Sequence, residues 1–354
     1  MNSRFYFSTC QIGAEKALKA EVLSVHPSLR FAFSRPGFVT FKEELSDSAA
    51  ESPALVLPAP VFARLWGEAV DQTRYPAALS ALLARVPEGA AVHAFDRDRF
   101  VPGDEIEGYA VDEKIRSIAE VSAFLASRCK LPPSAPLAPG DRVYDLIWID
   151  DFHVFLGRHL HSARLSPFPG NIPPLELPAH SPSRAWFKIE EALLRFNPVV
   201  QSGWQALEIG CAPGGATTAL LDRGFSVIGI DPQFMAESVA ARKGFRHVRK
   251  PARYAEASDL SGVNPDWIVM DMSIPPKDAL GELSHVIGLL RDIHGKKLAV
   301  RRGFLTLKLN DWKYASDIPF FLKRLGQIGF ENLQCVQLAH NRQEIFVYSS
   351  KFRV

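Results

Sequence analysis

The sequence predicts an α/β protein, with a doubly wound, mostly parallel sheet in its C-terminal half and an α+β region before it. Residues 206–231 contain an apolar strand, a glycine-rich turn, a helix and a second apolar strand followed by an acid. This order is typical of a nucleotide-binding unit, in which the ligand lies at the carboxyl ends of the strands. Apolar strands and helices then continue to alternate, which favours a parallel sheet. A proline-rich stretch at residues 166–183 separates the two parts.

Composition and cysteine content exclude several classes of protein. The chain has 354 residues, of which 47% are hydrophobic, so two or three domains with full cores are expected. It contains no apolar run near the ~20 residues of a membrane helix and no signal-peptide core, which indicates a cytoplasmic protein without a membrane partner. The cysteines lie far apart and form no CxxC pair, which argues against zinc and disulfides; they are Cys10, Cys129, Cys211 and Cys335.

The first part of the chain divides into two predicted modules. Residues 1–50 are expected to hold strands at 5–8 and 38–41 and a helix at 15–24. Residues 54–165 are expected to hold the second module. Its predicted elements are strands at 62–66, 91–95, 144–149 and 153–156 and helices at 75–85 and 112–128. The last two strands should form a hairpin around Asp150 and Asp151.

The proline-rich stretch is expected to act as a stiff linker, because proline continues neither a helix nor a central strand. A helix then begins at Arg184, with Ser181 or Ser183 as its predicted cap. Strands are predicted after it, at residues 206–209, 226–230, 267–270, 304–307, 333–338 and 345–348. Only a short turn separates the last two strands, so they should pair antiparallel.

The spacing of the glycines indicates which nucleotide the turn can bind. Gly210, Gly214 and Gly215 leave the turn without side chains, so a ligand can approach the backbone. A dinucleotide fingerprint requires G-x-G-x-x-G, whereas this turn reads G-C-A-P-G-G and reserves no place for a pyrophosphate. S-adenosylmethionine, which has no phosphates, fits better, and an ordinary strand–turn–helix is the alternative. Asp231, after the second strand, can accept hydrogen bonds from ribose hydroxyls.

Charge is unevenly distributed along the chain. Residues 1–179 carry an excess of acids and residues 180–354 an excess of bases, while the net charge of the whole chain is +2. A basic run consists of Arg242, Lys243, Arg246, Arg249, Lys250 and Arg253. Such a run can contact nucleic-acid phosphates, and it can equally be the solvated face of a helix.

Charged residues at strand ends and in the helix entering the sheet form a candidate catalytic group, here called the tetrad: Lys188, Asp271, Lys308 and Glu344. Residues just past parallel strands point into the ligand crevice, so the tetrad should lie there. A ribose hydroxyl is a poor nucleophile, and its attack on a sulfonium methyl requires withdrawal of its proton. Lys308 is the expected base, its pKa lowered by burial and a second cation, with Asp271 orienting it. Lys188 and Glu344 should support them; for each residue alone, a surface charge is the alternative.

Several segments of the chain resemble the ribosomal RNA 2′-O-ribose methyltransferases, which have an FtsJ-type, Rossmann-like fold. These segments are SRAWFKIEEA, LEIGCAPGGAT, IVMDMSIPP, LTLKLN and QLAHNRQEIFVYSS, together with the proline-rich linker. The family carries a K-D-K-E catalytic tetrad, which falls on Lys188, Asp271, Lys308 and Glu344. Within the family, the chain is similar to enzymes that methylate a cytidine of bacterial 23S ribosomal RNA. The resemblance covers residues 140–354 well and residues 1–139 loosely.

The resemblance also implies a domain organisation, a cofactor and a partner. It implies a ferredoxin-like, RNA-binding module at 1–50, a THUMP-like domain at 54–165, a linker at 166–183 and an S-adenosylmethionine-dependent methyltransferase domain at 184–354. Ribosomal RNA or a precursor particle is the implied partner of a monomeric, metal-free enzyme. The implied cofactor-binding residues are Glu208, Gly210, Cys211, Ala212, Pro213, Gly214, Gly215, Asp231 and Asp271.

Two points remain open in the sequence. Where the family usually has an acid near the adenine, this chain has Lys250 and Pro251, so Glu256 or Asp259 is expected to take that role. The alternative functions are a methyltransferase for another RNA, such as tRNA, or for a non-RNA substrate, and a non-catalytic RNA-binding assembly factor.

Overall fold

A computed structural model describes residues 2–45, 60–75, 77–97, 118–128, 137–162 and 165–354. The chain divides into two compact units, Met1–Pro174 and Leu175–Val354. The division falls inside the stretch predicted to be a linker.

The first unit is built on one mixed sheet. Its elements are β1 (Asn2–Thr9), α1 (Glu15–Val25), β2 (Leu29–Arg35), β3 (Phe38–Leu45), β4 (Leu65–Arg74), α2 (Leu79–Leu83), β5 (Ala91–Asp96), α3 (Ala119–Arg128), β6 (Arg142–Asp150) and β7 (His153–Leu160). The strand order is β2-β3-β1-β4-β7-β6-β5. Strands of both predicted N-terminal modules therefore lie in the same sheet, because β1 pairs with β4.

The hairpin predicted around Asp150 and Asp151 is confirmed, since β6 and β7 pair antiparallel and Asp150 lies opposite His153. The strand predicted at 62–66 begins only at Leu65, and the helix predicted at 75–85 is confined to Leu79–Leu83. Sequence reasoning missed β2, an edge strand whose residues are mostly exposed, although Leu29, Phe31 and Phe33 alternate along it. Residues 112–117 of another predicted helix, and Cys129, lie outside the described residues.

The second unit has the predicted doubly wound architecture. Its elements are α4 (Ala185–Phe196), β8 (Gln205–Ile209), α5 (Gly215–Asp222), β9 (Ser226–Ile230), α6 (Glu237–Ala240), β10 (Phe245–Val248), β11 (Trp267–Asp271), α7 (Pro276–His294), β12 (Arg302–Lys308), α8 (Ile318–Ile328), β13 (Phe330–Val336) and β14 (Glu344–Phe352). The strand order is β10-β9-β8-β11-β12-β14-β13, and β14 runs antiparallel to both of its neighbours. The predicted antiparallel pair at the C-terminus is therefore confirmed.

Aromatic side chains fill the core of the second unit between the sheet and its helices. Trp267 is fully buried and meets the rings of Phe225 and Phe304 edge-on, at centroid distances of 5.2 and 4.9 Å. Such edge-to-face pairs stabilise a core beyond the burial of their apolar area. The crevice at the carboxyl ends of these strands therefore lies at the edge of a well-packed sheet.

The helix α4 starts differently from the prediction. Its N-cap is Arg184, and no side chain caps it, so the expected cap by Ser181 or Ser183 is wrong. Ser183 instead packs against Gly215 at the start of α5, where a Cβ atom would lie 2.5 Å from the Ser183 carbonyl oxygen. The first turn of α4 is thus held by close helix packing, which needs a residue without a side chain at Gly215.

Candidate active site

The tetrad forms a closed ring of ion pairs at the carboxyl edge of the sheet. Lys188 Nζ lies 2.7 Å from Asp271 Oδ2 and 2.8 Å from Glu344 Oε1. Lys308 Nζ lies 2.9 Å from Asp271 Oδ1 and also donates a hydrogen bond to Glu344 Oε2. Each lysine therefore contacts both carboxylates, and each carboxylate contacts both lysines.

Strand register explains why distant residues meet in this ring. Asp271 is the last residue of β11, Lys308 the last of β12, and Glu344 the first of β14. Because β14 runs antiparallel to β12, its first residue pairs directly with Lys308. Lys188 enters from α4. The structure thus brings all four predicted residues together, while their catalytic role remains a prediction.

The four side chains of the ring are largely buried, and each charge stabilises the ionised form of its oppositely charged neighbours. Burial alone raises the pKa of Asp271, but the charges of Lys188 and Lys308 outweigh burial and hold this pKa below its usual value. Burial opposes ionisation of Glu344 in the same way, and the charge of Lys188 is the main reason that its pKa is also lowered. Both carboxylates are therefore ionised at neutral pH.

The expectation for Lys308 is reversed in this site. Burial lowers the pKa of Lys308, but the charges of Asp271 and Glu344 outweigh burial, so its pKa is raised above the ordinary value. The predicted lowering rested on burial and a second cation and treated the carboxylates as orienting groups, whereas their two charges dominate the pKa of the amine. Lys308 is therefore an ammonium ion in this ring.

The glycines of the turn make room for the protein itself as much as for a ligand. Gly210 has a φ of +84°, and a Cβ there would lie 2.5 Å from the backbone oxygen of Asp271. Gly214 has a φ of +119°, and a Cβ there would lie 2.9 Å from Val239. The expectation that these residues are small to admit a ligand is therefore incomplete, because at both positions a side chain would already collide with the fold.

Asp231 holds the turn in shape. Its Oδ2 atom accepts a hydrogen bond from the backbone N–H of Ala212 at 3.1 Å, and its Oδ1 atom accepts one from Gln233 at 2.8 Å. Cys211, the turn residue before Ala212, is buried, and burial raises the pKa of its thiol. Asp231 thus lies beside the predicted cofactor turn, and the buried Cys211 thiol is unreactive at neutral pH.

Glu208 is the most unusual carboxyl group near the turn. It is 1% exposed, and burial, reinforced by the charges of Asp271 and Asp231, raises the pKa of Glu208 to about 8. Thr217 donates a hydrogen bond to Glu208 Oε2 at 2.7 Å, whereas Oε1 has no hydrogen-bond partner among the described residues. Glu208 is therefore mostly protonated at neutral pH. Sequence reasoning missed Thr217, which lies two residues after Gly215, in the first turn of α5.

Of the two acids expected near the adenine, Asp259 forms contacts within its own segment of chain. Asp259 Oδ2 lies 2.7 Å from Lys250 Nζ and accepts a hydrogen bond from the backbone N–H of Glu256 at 2.8 Å. Asp259 therefore stabilises the segment around Pro251. The assignments of Glu256 and Asp259 to the adenine both stay predictions.

The basic run is neither a helix face nor an uninterrupted cationic surface. It begins after α6, passes through β10 and ends in a short 3-10 helix, Ala252–Tyr254. Carboxylates neutralise part of the run, because Arg242 pairs with Asp222 and Arg253 with Glu282. Sequence reasoning missed β10, because this short edge strand lies within the basic run and contains few apolar residues.

The sequence predicts no membrane partner and no metal site in the chain, including the segments that the structure describes. Within these segments, no helix is both long and apolar enough to cross a membrane. In the same parts of the chain, no group of three histidine, cysteine or acidic side chains is arranged to hold a metal ion.

Comparison with known proteins agrees with this site. Residues 182–318 match the family model described as FtsJ-like methyltransferase. The chain is 28% identical over 370 residues to "Ribosomal RNA large subunit methyltransferase M" of Tolumonas auensis, covering 98% of this chain and 96% of that protein. It is 32% identical over 238 residues to the protein of the same name from Marinobacter nauticus, covering 64% of this chain and 63% of that protein.

The matched region contains the glycine turn and three members of the tetrad, Lys188, Asp271 and Lys308. The fourth member, Glu344, lies beyond that region and is brought to it by the antiparallel strand β14. The sheet order, the turn and the matched residues agree, and residues 182–318 of the second unit therefore have an FtsJ-like methyltransferase fold.

Proposed function

We propose that this protein transfers a methyl group from S-adenosylmethionine to a ribose 2′-hydroxyl of large-subunit ribosomal RNA, at a cytidine of 23S RNA. The observation that carries the proposal is the closed ring of Lys188, Asp271, Lys308 and Glu344 at the carboxyl edge of the sheet. The similarity to ribosomal RNA large subunit methyltransferases over nearly the whole chain supports the choice of substrate.

The residues of the turn suit S-adenosylmethionine. The turn lacks the G-x-G-x-x-G spacing of a dinucleotide site, and Glu208 has a buried carboxyl oxygen without a partner among the described residues. When bound, S-adenosylmethionine supplies a methyl group on a positively charged sulfur. Gly210, Ala212 and Asp231 would hold its nucleoside part, and Glu208 would face the remainder of the same pocket.

Lys308 is the base in the proposed reaction. Lys308 Nζ would accept the proton of the ribose 2′-hydroxyl as that oxygen bonds to the methyl carbon, which S-adenosylmethionine would supply with the electron pair of the carbon–sulfur bond left on sulfur. Lys308 must therefore be neutral before the step, although Asp271 and Glu344 favour its charged form. A second positive charge bound nearby, such as a sulfonium, would disfavour the ammonium form of Lys308.

The other members of the tetrad hold Lys308 in place. Asp271 and Glu344 fix its amine from two sides, and Lys188 balances the charge of both carboxylates. Alignment of this kind accounts for a large part of enzymatic rate enhancement, because the reacting groups meet in a productive geometry.

The test is a methyl-transfer assay with labelled S-adenosylmethionine and ribosomal RNA lacking the modification. We expect Lys308→Ala to reduce kcat by about 10²–10⁴-fold, the usual contribution of a general base. The matched control is Lys351→Ala, because Lys351 lies on the same strand as Glu344 but is solvent-exposed and, among the described residues, forms its ion pair with Glu331. Full activity of Lys308→Ala would show that Lys308 is not the base.

Mapping of 2′-O-methyl groups in ribosomal RNA, from cells with and without the gene, identifies the substrate. A single cytidine of 23S RNA losing its methyl group supports the proposal. Loss of a methyl group in tRNA or in a protein supports another methyltransferase function. Binding of RNA without any binding of S-adenosylmethionine supports an assembly factor.

We further propose that residues 1–50 and 54–165 contact RNA as ferredoxin-like and THUMP-like modules, in a cytoplasmic monomer. The similarity to the Tolumonas auensis protein, which extends over 98% of this chain, supports a shared organisation. Crosslinking of the full-length protein to ribosomal RNA tests this, because crosslinks confined to residues 175–354 would contradict it.

A further inference from the structure

A buried carboxylate lies one helical turn beyond Lys188 on α4. The side chain of Glu191 is 3% exposed. It accepts hydrogen bonds from the backbone N–H groups of Ala339 and His340, at 2.7 and 2.9 Å, and its Oε2 atom lies 2.7 Å from His340 Nδ1. Burial alone raises the pKa of Glu191, but its bonds to His340 and Ala339 outweigh burial and hold this pKa below its usual value. Glu191 is therefore an ionised anchor inside the fold.

The anchored segment is the turn that leads into β14, residues 337–343, here called the Glu344 loop. Phe187, also on α4, stacks on the ring of His340 at 4.6 Å with an angle of 13° between the planes. Two residues of one helix thus hold one residue of the loop, one by charge and hydrogen bonding and the other by ring stacking.

The Glu344 loop is connected to the tetrad through Asn341. Asn341 Oδ1 accepts a hydrogen bond from the backbone N–H of Leu338 at 2.8 Å, and Asn341 Nδ2 donates one to Glu344 Oε1 at 3.0 Å. The same Oε1 atom lies 2.8 Å from Lys188 Nζ. Glu344 is therefore oriented by both Lys188 and Asn341.

One face of α4 consequently reaches Glu344 by two routes. Lys188 and Glu191 are three residues apart, so their side chains project from the same side of the helix. Lys188 contacts the carboxylate directly, and Glu191 reaches it through the Glu344 loop. A displacement of the loop would alter the contact between Glu344 and Lys308 without removing any member of the tetrad.

We propose that Glu191 is a positioning residue for the methyl transfer, acting through the Glu344 loop to hold the Glu344 carboxylate between the two lysines. This inference rests on the proposed function. It assigns to Glu191 a role in the rate of the reaction in addition to its contribution to folding. Misplacement of a catalytic group by about 1 Å can cost up to ~10²-fold in rate.

The test compares Glu191→Gln with Glu190→Gln in the full-length protein. Glutamine keeps the size of the side chain but lacks the second oxygen acceptor and the charge. We expect Glu191→Gln to lower kcat at least about tenfold, with little change in the KM for S-adenosylmethionine. Glu190 is also buried on α4 but pairs with Arg223, away from the tetrad, so Glu190→Gln should keep its kcat.

Two additional variants separate positioning from a loss of stability. Asn341→Ala removes the link to Glu344 while leaving Glu191 intact, and it should lower kcat to a similar extent. In a Glu344→Gln background, Glu191→Gln should add little further loss, because residues that act through one another are not additive. Fully additive losses, or a change in thermal stability with unchanged kcat, would overturn the inference.

A readout other than activity distinguishes this inference from the proposed function. Carbon-13 NMR of the glutamate carboxyls should show the pKa of Glu344 rising in Glu191→Gln, since a displaced carboxylate loses contact with the lysines. An inactive wild-type protein with this pKa change would refute the proposed function and retain the positioning. An active wild-type protein with neither a kcat loss nor a pKa change in the variant would refute the positioning alone.

Discussion

At the scale of single residues, the protonation of Lys308 is the main physical question in the proposed reaction. The carboxylates that orient this amine also favour its charged form, which cannot accept a proton. The site therefore combines accurate placement with an unfavourable resting protonation state.

The first residue-scale prediction concerns the pH dependence of kcat. Because the pKa of Lys308 is raised, its neutral fraction is small near pH 7 and should grow about tenfold for each pH unit. We expect log kcat to rise with a slope near one between about pH 7 and 9, measured with both substrates saturating. Lys308→Arg serves as the control, because arginine keeps the charge but does not deprotonate in proteins. A flat wild-type profile would contradict this role of Lys308.

The second residue-scale prediction concerns Glu208 and stability. Its pKa is raised from 4.5 to about 8 in the folded protein, so the folded state holds a proton there that the unfolded chain has lost. Stability attributable to Glu208 therefore falls as pH rises from about 4.5 to 8, by up to about 1.4 kcal/mol per pH unit. Glu208→Gln removes this titration.

The measurement is the free energy of unfolding of wild-type protein and Glu208→Gln from pH 5 to 9. We expect the variant to gain on the wild type as pH rises, until the difference levels off above pH 8. The other titrating groups are common to both proteins and cancel in the difference. A constant difference across the range would show that Glu208 titrates normally.

At the scale of secondary structure, close helix packing and strand register determine where the tetrad lies. The first turn of α4 packs against the start of α5, and it does so because Gly215 has no side chain. The strands β11, β12 and β14 then carry the other tetrad members to the same edge of the sheet.

An element-scale prediction follows for Gly215→Ala. The added methyl group would meet the backbone oxygen of Ser183 at 2.5 Å, so α4 must shift, and we expect a loss of about 1–3 kcal/mol in unfolding free energy. Gly281→Ala in α7 is the matched control, because nothing lies within 4 Å of its added Cβ. That control should stabilise the protein by about 0.5–1 kcal/mol, as alanine favours a helix interior. Urea denaturation of both variants gives the comparison, and equal effects would contradict the packing argument.

Some elements could be predicted from the sequence because they leave a local pattern. The inner strands of the second unit are apolar runs, such as residues 267–270, and their predicted bounds agree with the structure to within a few residues. Edge strands leave a weaker pattern, because one side of the strand is open and polar residues are tolerated there. This explains why the short strand β10 was missed, whereas β2 was missed although Leu29, Phe31 and Phe33 alternate along it.

At the scale of the whole molecule, the two units differ in how much their sequence reveals. The second unit contains charged residues at strand ends, where the fold itself directs them to one crevice. The first unit has no comparable motif, so its assignment rests on resemblance. The site was therefore foreseen as a group of four residues, whereas its surroundings were not.

The surroundings were missed because their contacts span long stretches of chain. Glu191 reads in the sequence as an ordinary charged helix residue, and its partner His340 lies 149 residues away. Nothing local indicates that this carboxylate is buried. A pattern of spacing can locate the residues that react, but the residues that hold them are recognised only from the packed structure.

The alternation of positive and negative charge around the tetrad determines which substitutions the site can tolerate. Two ammonium and two carboxylate groups make the cluster electrically neutral, so RNA gains no net attraction from it. Replacement of any one member leaves an unbalanced charge withdrawn from water, which is costly, whereas removal of one lysine together with one carboxylate does not. The fold should therefore tolerate the joint replacement of one lysine and one carboxylate of the tetrad better than the replacement of a single member.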